Sequence, residues 1–106
     1  MPKRPRNYIM TTIQNVSPLS AEKLFDILKT EFGTYTDAKL GTNLAIEYAH
    51  VYDVINVSFP EIIEGTVFTL IVNDVSVELS NNGDNAEYNT DLLEQHLIEF
   101  LNQHCN

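Results

Sequence analysis

Phe68-Thr69-Leu70-Ile71-Val72-Asn73-Asp74-Val75-Ser76-Val77-Glu78-Leu79 decides the fold of this chain. Both flanks are rich in β-branched residues and alternate between apolar and polar positions, the period of a half-buried strand. Asn73-Asp74 between them tolerates positive φ, so the stretch predicts a β-hairpin closed by a two-residue turn. That register sets Val72 opposite Val75, Leu70 opposite Val77 and Phe68 opposite Leu79, with all six apolar side chains on one face. Thr69, Ile71, Ser76 and Glu78 take the other. A slip by one residue would turn Glu78 into the core, so the choice of face is well specified.

The same pairing extends upstream. Ala49 and Val54 close a loop His50-Val51-Tyr52-Asp53, which sets Tyr48 against Ile55, Ile46 against Val57 and Leu44 against Phe59. Glu47, Asn56 and Ser58 fall on the opposite side. A further loop, Gly41-Thr42-Asn43, aligns Leu40 with Leu44, Ala38 with Ile46 and Thr36 with Tyr48, and predicts a strand at 35–40. Pro60 to Gly65 joins two strands, with Ile62 and Ile63 folded back onto the core. Val67 and Ile71 fall on the otherwise polar sheet face.

Towards the N-terminus, Tyr8 to Val16 reads as a strand. Ser17-Pro18 offers a cap followed by proline at the first helical position, and Ser20 is a second cap. Ala21, Leu24, Phe25, Leu28 and Phe32 recur at helical spacing and predict a helix over 18–32, stopped by Gly33. Towards the C-terminus, Ser80 to Asn89 is rich in turn formers and reads as a loop. Thr90 then caps a final helix, with Asp91 in its first turn and Leu93, Leu97, Phe100 and Leu101 as its apolar stripe. The order is β-α-β-β-β-β-β-α, an α+β domain: an antiparallel β-meander covered on one face by two helices. Strands that do not alternate with helices argue against a parallel sheet.

The 106 residues make one domain at 8–106, preceded by a basic arm at 1–7 (Met1-Pro2-Lys3-Arg4-Pro5-Arg6-Asn7). At 43% hydrophobic the chain can build a core. A domain of this size buries roughly two-thirds of its unfolded surface, so its stability margin is narrow.

Charge is unevenly distributed. Fifteen acidic residues face six basic ones, and no lysine or arginine follows Lys39. Residues 40–106 carry Glu47, Asp53, Glu61, Glu64, Asp74, Glu78, Asp84, Glu87, Asp91, Glu94 and Glu99. Such a surface repels nucleic acid and acidic membranes and attracts basic proteins. Tyrosines on a sheet stack bases only with cations beside them, and the strand segments after Lys39 have none. No apolar run is long enough to span a bilayer. Cys105 has no partner for a disulfide, which fits a reducing compartment, and the expected location is cytoplasmic.

Motifs for chemistry are few. Glu61 and Glu64 flank two isoleucines in a connection and read as solvated loop charge. His50 near Asp53 lacks a nucleophile beside it. His96 and His104 are too far apart for a metal pair, and His104 suits a helix C-terminus. Asn82-Gly83-Asp84-Asn85 lacks the remaining ligands of a calcium loop. No cofactor, metal or enzymatic activity is expected.

The function expected from these features is an acidic protein-binding module that docks on a basic protein and inhibits or escorts it, as immunity proteins, antitoxins and nuclease inhibitors do. Its expected contacts are Tyr52, Asp53, Glu61, Glu64, Asp74, Asp84, Glu87 and Tyr88, with the tyrosines as anchors. Two alternatives differ in what they require. A secretion-type chaperone would be a homodimer with an exposed apolar stripe. A small-ligand-binding domain would have a pocket between sheet and helices, lined by His96 or Tyr48. The first reading is met by a monomer or a homodimer.

Overall fold

The computed structural model describes residues 10–41, 43, 45–82 and 90–105. Within them lie five strands, β1 (Met10–Gln14), β2 (Glu47–Val51), β3 (Val54–Ser58), β4 (Thr66–Val72) and β5 (Ser76–Asn81). Two helices accompany them, α1 over residues 21–40 and α2 (Asp91–Cys105). The strands form one antiparallel sheet in the order β1-β5-β4-β3-β2. β2 to β5 are a meander, and β1 adds to it beside β5. Both helices cover the same face, as an α+β two-layer domain requires. Along the inner face Ile13, Ile55, Val57, Phe68, Leu70, Val72, Val77 and Leu79 pack with Leu24, Leu28 and Phe32 of α1 and with Leu93, Leu97, Phe100 and Leu101 of α2.

Residues 35–40 are helix, not strand, so the sheet has five strands where the expected order has six. α1 passes through Gly33 and ends at Gly41, which takes the left-handed conformation (φ 67°) and donates its N–H to the Asp37 carbonyl at 2.9 Å. The reason is tertiary. Phe32 and Thr36 are fully buried, and Tyr35 and Leu40 pack beside them. Thr36 hides its hydroxyl by donating to the Gly33 carbonyl at 2.9 Å. The middle of the helix, Leu28–Phe32, is wound as a wider π turn. The helix also starts later than 18: Ser20 is the cap, its hydroxyl accepting the Lys23 N–H at 3.1 Å. The Ser17 N–H instead donates to the Cys105 carbonyl at 2.7 Å and ties the end of β1 to the end of α2.

Both hairpins take a register two residues away from the expected one; their strand residues keep the expected faces, but Val75, expected on the buried face, lies in the turn and is 75% exposed. In β4–β5, Val72 pairs with Val77, Leu70 with Leu79 and Phe68 with Asn81. The turn moves on by one residue: the Asn73 N–H donates to the Ser76 carbonyl at 2.9 Å and Asn73 Oδ1 accepts the N–H groups of Val75 (2.9 Å) and Ser76 (2.8 Å), which leaves Asp74-Val75 at the tip in place of Asn73-Asp74. Val75 is left to accept the Asn15 N–H at 2.9 Å across from β1. In β2–β3 the loop is Tyr52-Asp53, so His50 and Val51 belong to the strand. Val51 pairs with Val54, His50 with Ile55 and Tyr48 with Val57. A shift by an even number leaves every side chain that stays in a strand on its own face. The Leu44 pairing and the 83–89 part of the polar loop lie outside the described residues.

Val67 departs from its expected face. Val57 pairs with Phe68 but Ser58 with Thr66, so Val67 is the extra residue of a bulge and is fully buried. Ile63 is buried and Ile62 packs on the core, as expected, both donating their N–H groups to the Phe59 carbonyl. Buried polar groups close the layers. Asn15 accepts the Leu19 N–H and donates to the carbonyls of Leu19 and Asn73, each at 2.9 Å. Asn81 joins β5 to the start of α2 through Thr90 (3.0 Å) and Glu94 (2.7 Å). No described helix is long and apolar enough to cross a membrane.

Candidate partner-binding surface

Helices on one side leave the other face of the sheet open. Its rows follow from the register: Thr12, Glu78, Ile71, Val54 and Val51 lie side by side across the five strands, and Ser80, Thr69, Asn56 and Ala49 form the next row. Ile71 is 39% exposed and Val51 59%. Among the described residues the lysines are Lys23, Lys29 and Lys39, all on α1. Two of them rest on aromatic rings, Lys29 over Phe25 at 4.8 Å and Lys39 over Tyr35 at 5.4 Å. The strands and their described turns carry carboxylates and no lysine or arginine.

Tyr52, Asp53 and Asp74 come together at one end of this sheet. The Val72 N–H donates to the Asp53 carbonyl at 2.9 Å, which holds the β2–β3 turn beside the β4–β5 turn. Asn73, Asp74 and Val75 follow directly, and Val16 lies beyond Asn15 on the same side. Val75 is 75% exposed and Tyr52 89%. Tyr52 also has φ 55°. A bulky side chain in the left-handed region costs about 1–2 kcal/mol, which asparagine or glycine would largely avoid. The turn alone therefore gives no reason for tyrosine. His50 supports it, its Nε2 lying 2.7 Å from the Tyr52 carbonyl. That contact, and the packing of the His50 ring on Phe25 at 5.2 Å, assign His50 a structural role.

Glu61 and Glu64 lie at the opposite end. With Glu47, Ser58, Ile62 and Thr66 they border an open groove of about 610 Å³ beneath the 60–65 connection. One Glu61 oxygen accepts the Ala45 N–H at 3.2 Å and fixes the approach to β2. Glu47 is a member of this acidic end that the sequence pattern hides, because it reads there only as an outward position of a strand. Asp84, Glu87 and Tyr88 lie outside the described residues. The described ones among the expected contacts thus separate into two groups, Tyr52, Asp53 and Asp74 at one end of the sheet and Glu61 and Glu64 at the other.

The space between sheet and helices is filled by apolar side chains. Tyr48 is half-buried there, and its hydroxyl has no hydrogen-bond partner among the described residues. Burial pushes its ionisation well above the ordinary tyrosine range. His96 lies on the seam between the helices, its ring against Tyr35 and its Nδ1 3.5 Å from Glu99. The Tyr35 hydroxyl donates to Glu99 at 3.1 Å. This bond, with the one from His96, holds the Glu99 carboxyl below its usual range, while burial and the Glu99 contact raise Tyr35. His104 Nε2 lies 3.6 Å from Glu31, a second link between the helices. Burial pushes the Cys105 thiol up, which makes it a poor nucleophile. Among the described residues no group of three histidine, cysteine or acidic side chains is placed to hold a metal ion.

Comparison with protein-family models, curated proteins and solved structures finds no match to this chain.

Proposed function

We propose that this protein is an acidic binding module that docks on a basic protein and inhibits or escorts it. The observation that carries this reading is Tyr52: an aromatic ring 89% exposed, held in a left-handed turn, with Val51 and Val75 exposed on the same end of the sheet and Asp53 and Asp74 beside it. Tyrosine is one of the residues enriched in binding hot spots, and backbone strain at an exposed aromatic points to a use beyond the turn. Carboxylates without neighbouring cations select a basic surface and speed its approach.

The test is capture of proteins from a cell extract by the immobilised chain at low salt and at about half-molar salt, where screening reaches only a few ångströms. The expected catch is enriched in basic proteins, is released by salt, and is lost when Tyr52→Asn is combined with Asp53→Asn and Asp74→Asn. A catch that is no more basic than that of an unrelated acidic domain, or that survives the triple substitution, overturns the proposal.

A further inference from the structure

We infer that the free edge of β2 receives an extended, lysine- or arginine-bearing segment of the partner as a sixth strand of the sheet. This rests on the reading of the protein as a binder of basic proteins and states how the partner is held. The backbone argument comes first. Val51 and Val54 close a two-residue hairpin, so they exchange hydrogen bonds, and Ala49–Asn56 and Glu47–Ser58 follow by alternation. The bond from the Val72 N–H to the Asp53 carbonyl agrees, since it turns the odd-numbered residues of β3 towards β4. The N–H and C=O groups of Tyr48 and His50 therefore point away from β3. No strand among the described residues lies on that side.

The edge also joins the two acidic groups. Glu47 and the groove bordered by Glu61 and Glu64 lie at its start, and Asp53 with Tyr52 at its end. The five residues between span about 17 Å at the rise of a strand. A strand added here meets carboxylates at both ends and four backbone groups between them. Cations four residues apart on one face of the added strand reach both ends, because long side chains make up the remaining distance. The other edge, β1, has no charged residue from Met10 to Gln14 and follows Lys3, Arg4 and Arg6, so a basic segment is not drawn to it. A second copy pairing through β2 would set Glu47 and Asp53 near their counterparts, between chains that each carry a net charge of −9. Strand addition draws affinity from main-chain bonds, and flanking pockets and charges supply its selectivity.

The test uses a fluorescent peptide with lysine at every fourth position and valine or threonine between, and two forms of it N-methylated at alternate residues. The two forms have the same charge, and one blocks the hydrogen bonds to β2 while the other spares them. The expected result is binding that salt weakens, at least tenfold loss for one methylated form only, and at least tenfold slower amide exchange at Tyr48 and His50 but not at Ala49. Equal affinity of the two forms with salt-sensitive binding overturns strand addition and leaves the acidic docking surface standing. Absence of any binding overturns the edge site, while the extract experiment above decides the broader function separately. Protection of Tyr48 and His50 that depends on protein concentration without peptide assigns the edge to a second copy and overturns the inference. So does a tenfold gain in peptide affinity on Lys3→Gln, Arg4→Gln and Arg6→Gln, which assigns it to the chain's own arm.

Discussion

Tyr52 and Tyr48 stand four residues apart and on opposite sides of the fold's economy of strain. Tyr52 holds an exposed ring in a conformation that disfavours it. Replacing it with asparagine, which accepts the left-handed region, should raise stability by about 1 kcal/mol in urea denaturation while weakening partner capture. A loss of stability would show that the ring supports the turn. Tyr48 carries a buried hydroxyl with no hydrogen-bond partner among the described residues. Tyr48→Phe removes that group and keeps the ring, so it should stabilise the fold by about 1 kcal/mol. The same hydroxyl sets a limit at alkaline pH. The folded values of Tyr48 and Cys105 are raised, so their contribution is present in full below the values of the unfolded chain, about 10.0 and 9.0. It is lost as pH rises through the folded values. Melting temperature should therefore fall from about pH 9 upwards, and less steeply in Tyr48→Phe. None of this is written in local sequence: Tyr48 and Tyr52 differ only in which one the hairpin turn takes.

At the scale of elements, α1 shows how a local stop signal loses to packing. Gly33 has the usual features of a terminator, and Thr34-Tyr35-Thr36 favours extended backbone. Yet Leu28, Phe32, Thr36 and Leu40 keep a spacing of four. Counting a buried threonine as apolar would have extended the helix to Gly41. The two glycines are distinguishable by experiment. Gly33 sits at φ −59° with open space where a Cβ would lie, so Gly33→Ala should stabilise by about 0.5–1 kcal/mol. Gly41 has positive φ, so Gly41→Ala should destabilise by about 1 kcal/mol. Opposite signs in chemical denaturation mark the end of the helix, and equal signs would contradict it. The hairpins teach a related point. Alternation settles which face is buried, but the register depends on the bonds Asn73 makes in its turn, and the bulge that buries Val67 depends on the β3–β4 pairing.

For the whole molecule, the described cations are confined to one element: all described lysines lie on α1, while carboxylates occur on both helices and on the sheet and its ends. Self-repulsion within a net charge of −9 opposes the compact state and is reduced by salt. Raising ionic strength from about 10 mM to 150 mM, which shortens the Debye length to about 8 Å, should stabilise the fold by the order of 1 kcal/mol, or roughly 4–8 °C in melting temperature. A melting temperature that falls over this range would mean that attraction, not repulsion, dominates. Partner capture should move the opposite way and weaken with salt.

Periodicity and composition were enough to specify one α+β domain, the residues facing its core, the final helix and the acidity of the sheet layer, because each depends on neighbours a few positions away in the chain. The length of α1, the turn that exposes Tyr52, the grouping of acids at two ends of the sheet and the outermost place of β2 among the described strands were decided only on folding. These arise from contacts between segments far apart in sequence, where burial of Phe32 and Thr36 outweighs local preference and where the order of strands sets which of them lies outermost.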